Sequence, residues 1–536
     1  MTMDTLQLTF VLLLFFFAFG SVLIGIPVAF ALPGAALLVS IPALFYGLFD
    51  VSYLSAIPSR IFGTAMYNEV LTAVPLFILM GVVMEKSRVA EDLLVNMAKL
   101  SRGIPAGLGI SVTLVGTLLA ASTGIVGATV VAMGLLSLPT MLKQGYKPSL
   151  AAGSICAAGT LGQIIPPSIV LVFLGDQLSG AYMEAQREIG NFSPDPISVG
   201  DLFAGALIPG IGLAFLYILY QFIVGIVKPE YSPAMPIEED ESTAVLPLLA
   251  SLVPPLLLIV AVLGSILMGV ATPTEAAGVG ALGAFLLAGK RLFRVAKGTD
   301  NPGSQVLEVL VTAAIAAAFL LPLLRSVADL RITLDVLSAW NIFFIGIALI
   351  AAFALAAGAI ASVIILIQLK LLDKILSDSM RVSTLAFAIL VGATIFSLIF
   401  RSFGGEEVVT HAMEKIPGGP IGALLAISLL VFILGFFLDF IEIVFIIMPI
   451  VAPVILQSDI NPIWFGVLIA MNLQTSFLTP PFGFALFYLR GVAPPELKTI
   501  DIYKGVLPFI AIQIFALSMV FLFPQLATWL PSVLFG

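Results

Sequence analysis

Gly159-Thr-Leu-Gly-Gln-Ile-Ile-Pro-Pro-Ser168 decides how this chain folds, together with a counterpart far downstream, Leu473-Gln-Thr-Ser-Phe-Leu-Thr-Pro-Pro-Phe-Gly483. Each sets a Pro-Pro pair inside apolar sequence: no charge occurs between Lys147 and Asp176, or between Asp459 and Arg490. A Pro-Pro pair removes two backbone donors and disfavours helix at the residue before it. In hydrocarbon such a break survives only where protein buries it or where it lines a cavity. Matched breaks in corresponding halves of a membrane chain point to a transporter binding site.

The surrounding composition makes the membrane reading compulsory. The 536 residues are 60% hydrophobic and 10% charged, against roughly 25% charged in soluble proteins. Apolar runs of spanning length, about 20 residues each, recur from end to end, so the fold class is an all-α polytopic membrane protein. Leu6–Leu32 has no basic residue before it and reads as a first transmembrane helix, not a cleaved leader. The lone Cys156 excludes an internal disulfide. The lone His411 falls in a polar loop and argues against a Cys/His metal centre. The net charge of −8 gives no sign of nucleic-acid binding.

Further spans are expected at Ala35–Leu48, with Pro33 marking a turn, and at Leu71–Met84. An amphipathic surface helix is expected over Glu85 to Arg102. Gly103–Leu142 holds two crossings around the break Ala120-Ala-Ser-Thr-Gly-Ile-Val-Gly-Ala128, and Pro139 ends the run. Pro148–Gly175 reads as a re-entrant hairpin with its tip at Gly162–Pro167, because each arm is short for a crossing. Spans follow at Leu202–Val227 and Val245–Val270. Thr272-Pro-Thr-Glu275 then has a hydroxyl, a proline and an acid at the spacing of a capping box. Leu307–Leu324, Trp340–Leu369 and Val382–Phe400 span again, with Leu371–Met380 as a polar linker. Pro462–Leu489 is the second hairpin and Phe509–Leu530 the last span. The basic loops Lys143–Lys147 and Lys290–Lys297 favour the cytoplasm.

Aligning the Pro-Pro pairs, Pro480 on Pro166, gives an offset of 314 residues that also sets Pro453 on Pro139, Ser476 on Gly162 and Thr479 on Ile165. Such internal repeats are commonly inverted. The chain divides into a first half, 1–290, with the hairpin at 148–176; a linker with extra helices, 291–380; and a second half, 381–536, with the hairpin at 462–490.

A helix break exposes unpaired carbonyls and a helix N-terminus, where a hard cation or an anion can bind. The first half offers Ser122, Thr123 and Gly124 opposite Gly162, Ile165 and Pro166. The second offers Gly435 and Asp439 opposite Ser476, Thr479 and Pro480. Ser168, Thr475 and Gly483 are candidates for touching substrate. The competing reading is structural: glycines allow close helix packing and hydroxyls bond back within kinked helices. Asp439 and Glu442, three apart, share a face if they lie on one helix, and intramembrane acids are functional by default. Alternatively two helices meet at Asp439 and the acids sit at a turn.

No Walker A pattern surrounds Gly289-Lys290, since Ala284 and Arg291 break it. An intramembrane enzyme would have only Asp439 and Glu442 to work with, so no catalytic residue is expected. A stand-alone Na⁺-coupled di- or tricarboxylate carrier is the nearer alternative.

Five pieces resemble the large membrane subunit of tripartite ATP-independent periplasmic (TRAP) transporters: Pro139-Thr-Met-Leu-Lys-Gln-Gly-Tyr146, Gly159–Ser168, Ala271-Thr-Pro-Thr-Glu-Ala-Ala-Gly278, Gly435-Phe-Phe-Leu-Asp439 and Leu478-Thr-Pro-Pro-Phe-Gly483. The resemblance implies an inverted-repeat, elevator-type importer of organic acids in the bacterial inner membrane, with Na⁺ as coupling ion and no organic cofactor. It implies two Na⁺ sites at the hairpin tips, on the residues singled out above. It also implies a periplasmic substrate-binding protein and a small four-helix membrane subunit as partners, within the lipid bilayer. The family often has Ser-Gly-Ser-Ser where this chain has Ala121-Ser-Thr-Gly124. The chain also looks longer than a typical large subunit, with the excess in Ser179–Ser242 and Leu307–Leu369, and no fused small subunit is expected at its start.

Overall fold

The computed structural model describes residues 3–234, 245–296, 302–331 and 339–536, which form helices and their connections with no strand among them. An apolar chain leaves little choice, because without water each backbone N–H and C=O must find its partner within the protein. Ten helices are long and apolar enough to cross a membrane, or up to twelve spans if two bent pairs each count as one. The acids Glu238–Glu241 and Lys297, the end of the expected basic loop, lie outside the described residues.

In chain order the helices are α1 (Met3–Leu23), α2 (Val28–Phe45), α3 (Ile57–Ile61), α4 (Ala73–Lys86), α5 (Val89–Leu100), α6 (Gly107–Thr123) and α7 (Val126–Lys143). Next come α8 (Pro148–Thr160), α9 (Ile169–Glu188), α10 (Val199–Val227), α11 (Val245–Leu267), α12 (Pro273–Ala296), α13 (Pro302–Val327) and α14 (Ala339–Gln368). The chain continues with α15 (Leu372–Ser402), α16 (Gly405–Glu414), α17 (Gly419–Leu434), α18 (Phe440–Ile455), α19 (Pro462–Leu478), α20 (Phe484–Val492), α21 (Thr499–Leu522) and α22 (Gln525–Phe535).

Several boundaries differ from the sequence expectation, each for a local reason. Leu6–Leu32 is not one span: the chain turns at Gly25, with φ +99°, and Pro33 lies inside α2. Pro139 and Pro453 likewise sit inside α7 and α18 instead of ending them, as membrane helices tolerate where neighbours satisfy the freed carbonyl. Leu371–Met380 is not a linker, because α15 runs unbroken from Leu372. His411 is on α16, beside Glu414 at 3.3 Å, and not in a loop. The Thr272 capping box forms as read: Glu275 N–H donates to Thr272 Oγ1 at 3.2 Å, and Thr272 N–H donates to Glu275 Oε2 at 2.8 Å.

Packing sorts the helices into two groups. In one, α12 lies on α4, α15 on α2, α13 on α14, and α11 on α12. In the other, α8 lies on α21, α9 on α18, α7 on α20, and α10 on α22. The seam between them runs where α15 meets α18 and where α4 meets α6 and α9. At its basic end the first group is pinned by Arg291, which grips Asp92 with Nε at 2.6 Å and Nη2 at 2.9 Å, while Lys86 meets Asp378 at 2.9 Å.

The second group is built on small residues, as expected where lipid supplies no hydrophobic drive between helices. At the α8–α21 crossing a Cβ on Gly153 would lie 2.1 Å from the Gly505 carbonyl oxygen. One on Gly505 would lie 1.9 Å from the Ser149 carbonyl oxygen. A side chain here must push backbone from backbone. Gly505→Leu is therefore expected to destabilise the protein by at least about 1–3 kcal/mol. A lowered melting temperature in detergent checks this, and an unchanged one would show that the crossing is loose.

Candidate functional site

The first break is assembled by α6, α7, α8 and α9. Gly124 takes the left-handed conformation, φ +61°, and its N–H returns to the Ala120 carbonyl, ending α6. Below α8 a 3-10 turn over Leu161–Gln163 leads into the cis Pro166-Pro167 peptide, and α9 restarts after Ser168. The two interruptions meet: a Cβ on Gly162 would lie 3.0 Å from the Ala120 carbonyl oxygen, and one on Gly124 would lie 3.2 Å from the Ile169 nitrogen. Ser122, Thr123, Gly124, Gly162, Ile165 and Pro166 are thus brought together, and all are buried. Ser122 Oγ donates to the Leu119 carbonyl at 2.9 Å, and Thr123 Oγ1 lies 2.9 Å from Thr129 Oγ1. A hydroxyl that donates backward keeps its lone pairs for another partner.

The second break repeats the plan with α17, α18, α19 and α20. Gly435 caps α17 against Ser476, where an added Cβ would lie 2.1 Å from Ser476 Oγ. Ser476, Thr475 and Thr479 donate to the carbonyls of Leu473, Met471 and Thr475 at 2.8, 2.8 and 2.7 Å. The Pro480-Pro481 peptide is cis, and Gly483 starts α20 at φ +33°. This break is more open than the first, because Pro481 and Phe482 are exposed.

The two acids turn out to sit at a helix start. Asp439 is the N-cap of α18 and Glu442 its third residue, so the pair forms a reciprocal capping box at a helix start and does not lie along the body of one helix. Asp439 Oδ1 accepts from Phe440 N–H at 2.8 Å, and Glu442 Oε2 accepts from Asp439 N–H at 3.0 Å. Two helices meet here, and the acids satisfy backbone donors that hydrocarbon would leave bare.

At the first break α6 packs on α7 and both pack on α8; at the second α17 packs on α18 and α19 on α20. The Pro-Pro stretches lie between α8 and α9 and between α19 and α20, and the segments that face them are Ala120–Gly127 and Gly435–Asp439. Of the substrate candidates, Ser168 turns its hydroxyl inward to the Gln163 carbonyl at 2.8 Å. Thr475 and Gly483 belong to the second break.

Three features were not singled out from the sequence. Tyr488 on α20 borders the first break, since a Cβ on Gly127 would touch its ring at 2.8 Å. A cavity of about 620 Å³ opens along the seam, lined by Arg60, Asn68, Asp176, Glu184, Thr394 and Arg401. Polar contacts cross the seam there: Arg401 grips Glu184 with both terminal nitrogens at 2.5 and 2.7 Å, and Asn68 donates to Asp176 at 2.6 Å. The third is a buried polar cluster around Thr160, Tyr217, Gln474 and Gln513. The repeat offset held a signal for this one, because it sets Gln474 on Thr160.

The donor set of the breaks, carbonyls and hydroxyls with one carboxylate at the second, suits a hard cation of low charge. Among the described residues no group of three or more His, Cys, Asp and Glu could hold a transition metal.

Residues 13–372 and 341–526 match the family described as the tripartite ATP-independent periplasmic transporter, DctM component. The C4-dicarboxylate TRAP transporter large permease protein DctM of Vibrio cholerae is 27% identical over 533 residues, 98% of each chain. The extra length is therefore shared with that relative. The sialic acid TRAP transporter large permease protein SiaM of the same organism is 23% identical, covering 88% of each. In fold the chain is similar to the Alcanivorax borkumensis YdaH transporter, with a TM-score of 0.52, 15% identity, and 91% and 90% of the two chains covered.

If Asp439 caps α18 as described, Asp439→Ala lowers stability by about 1 kcal/mol, whereas Asp439→Asn, itself a good cap, changes it by a few tenths. Thermal unfolding of the two purified variants distinguishes them.

Proposed function

The chain belongs to the DctM component family of tripartite ATP-independent periplasmic transporters, a multi-pass protein of the bacterial inner membrane, and on that premise we propose that it drives Na⁺-coupled import of an organic acid. The observation that carries the ion part is the pair of glycine-lined breaks in register 314 residues apart, Gly162 against the Ala120 carbonyl and Gly435 against Ser476. Each brings carbonyls and hydroxyls from two elements to one point without a side chain between them. Na⁺ takes such oxygen donors, and the helix N-termini at Ile169 and Phe484 favour the carboxylate of a bound substrate. C4-dicarboxylate and sialic acid, named for two relatives, support a carboxylate as cargo.

Transport follows an elevator scheme in this reading. The group holding both breaks, α6–α10 and α17–α22, moves along the seam past α4 and α15. Lys143 and Lys147 put the open ends of α6–α7 at the cytoplasm, so the first tip enters from that side and the second from the periplasm. A periplasmic binding protein delivers substrate, and a small four-helix membrane subunit braces the α1–α2 and α11–α15 group.

Reconstituted with both partners, the protein should accumulate substrate on an imposed Na⁺ gradient without ATP. Uptake equal in Na⁺ and choline would sink the coupling. Asp439→Asn should weaken Na⁺ dependence more than it weakens folding; wild-type Na⁺ dependence would leave Asp439 a cap only. Motion along the seam has its own test. A cross-link between Asn68→Cys and Asp176→Cys should stop uptake, with recovery after dithiothreitol. Full uptake by the cross-linked protein would exclude movement there.

A further inference from the structure

Midway between the two breaks lies a polar cluster that neither break uses. Thr160 ends α8, Tyr217 is on α10, Gln474 on α19 and Gln513 on α21, and none is more than 1% exposed. Gln474 Nε2 and Gln513 Nε2 each point at Thr160 Oγ1 from 3.5 Å, the outer limit of a hydrogen bond, while Thr160 gives its own proton to the Ala157 carbonyl at 2.9 Å. The Tyr217 hydroxyl faces the same three side chains, near enough to interact with each but outside full hydrogen-bond geometry with any of them. Both glutamine Oε1 atoms are also unpartnered.

Buried unpaired oxygens are costly, and here three of them come from side chains that converge on one hydroxyl. As placed, the Nε2 groups of Gln474 and Gln513 face Thr160 while their Oε1 atoms find no donor. A cation or the hydrogens of water would satisfy those oxygens. A half-turn of either amide about its last torsion brings Oε1 inward at little loss, since the present Nε2 contacts are the longest allowed. Four neutral oxygens then surround one point. Without a carboxylate such a set suits a monovalent ion, as rings of neutral carbonyls do in ion filters, and not a divalent one.

We propose that Thr160, Tyr217, Gln474 and Gln513 form a monovalent-cation site, separate from the two breaks and shared by both repeats. Thr160 and Gln474 are repeat counterparts that touch, so the site sits where the halves meet. Thr160 is two residues from Gly162 and Gln474 two from Ser476, which places an ion here in mechanical contact with both breaks. The inference stands on this cluster alone and does not need Na⁺ coupling to hold.

Thallous ion is the probe. Crystals of the whole transporter grown in thallous nitrate should show an anomalous peak bounded by these four side chains. Gln513→Leu should abolish that peak and leave any at the breaks, whereas Gln513→Glu, which keeps an oxygen and adds charge, should retain it. In a NaCl titration of thermal stability against choline chloride, Gln513→Leu should raise one midpoint by about tenfold, as losing one ligand would. Density without anomalous signal would mean water only and overturn the proposal, as would a peak that persists in Gln513→Leu. Either failure leaves Na⁺-driven uptake to be judged by the flux assay.

Discussion

The structure depends on a constraint of the backbone: a helix interrupted inside an apolar body must have its freed groups covered by protein. Both breaks meet it in the same way. A glycine on one element lies against a carbonyl or hydroxyl of the other, Gly162 on Ala120 and Gly435 on Ser476. A Cβ at either place would separate the elements and leave carbonyls facing lipid or a void. The contact that makes the break tolerable is also what gathers oxygens from two chain segments around one point, so stability and the proposed ion chemistry rest on one geometry.

The two breaks meet that constraint with different surroundings. The first is closed on every side, and α4 helps to close it: a Cβ on Gly81 would lie 2.6 Å from the Thr123 Cα. Since α4 belongs to the other packing group, the first break lies directly on the seam. The second carries its own acid and opens to the surface past Phe482. Glycine on the seam leaves a smooth backbone surface, while the Arg401–Glu184 and Asn68–Asp176 contacts hold one particular alignment of the two groups.

The buried cluster at Thr160 joins two segments that align 314 positions apart in the sequence: Gln474, the counterpart of Thr160 in that alignment, touches it. The pair meets in the middle of the protein, far from water, where a hydroxyl and amides can satisfy one another only in part.

Much of this was determined by the sequence alone. The apolar, charge-poor runs required helices. The capping box at Thr272 specified a helix start to the residue, because Thr, Pro and Glu each satisfy a fixed backbone group. The Pro-Pro and glycine stretches located both breaks; Gly435 was set opposite Ser476, which it meets, and Gly162 opposite Ser122–Gly124, whereas it lies against Ala120. Tertiary structure decided the rest. Whether a proline ends a helix or rides within it depends on neighbours that satisfy the lost bond, so Pro33, Pro139 and Pro453 misled. Whether α8 folds back on α9 or on α6 and α7 is a packing choice that periodicity does not encode. Asp439 and Glu442 could lie along a helix or cap one, and only the turn at Gly435–Leu438 chose. Tyr217 and Gln513 read as ordinary span residues, and became part of a site because four helices bring them to Thr160.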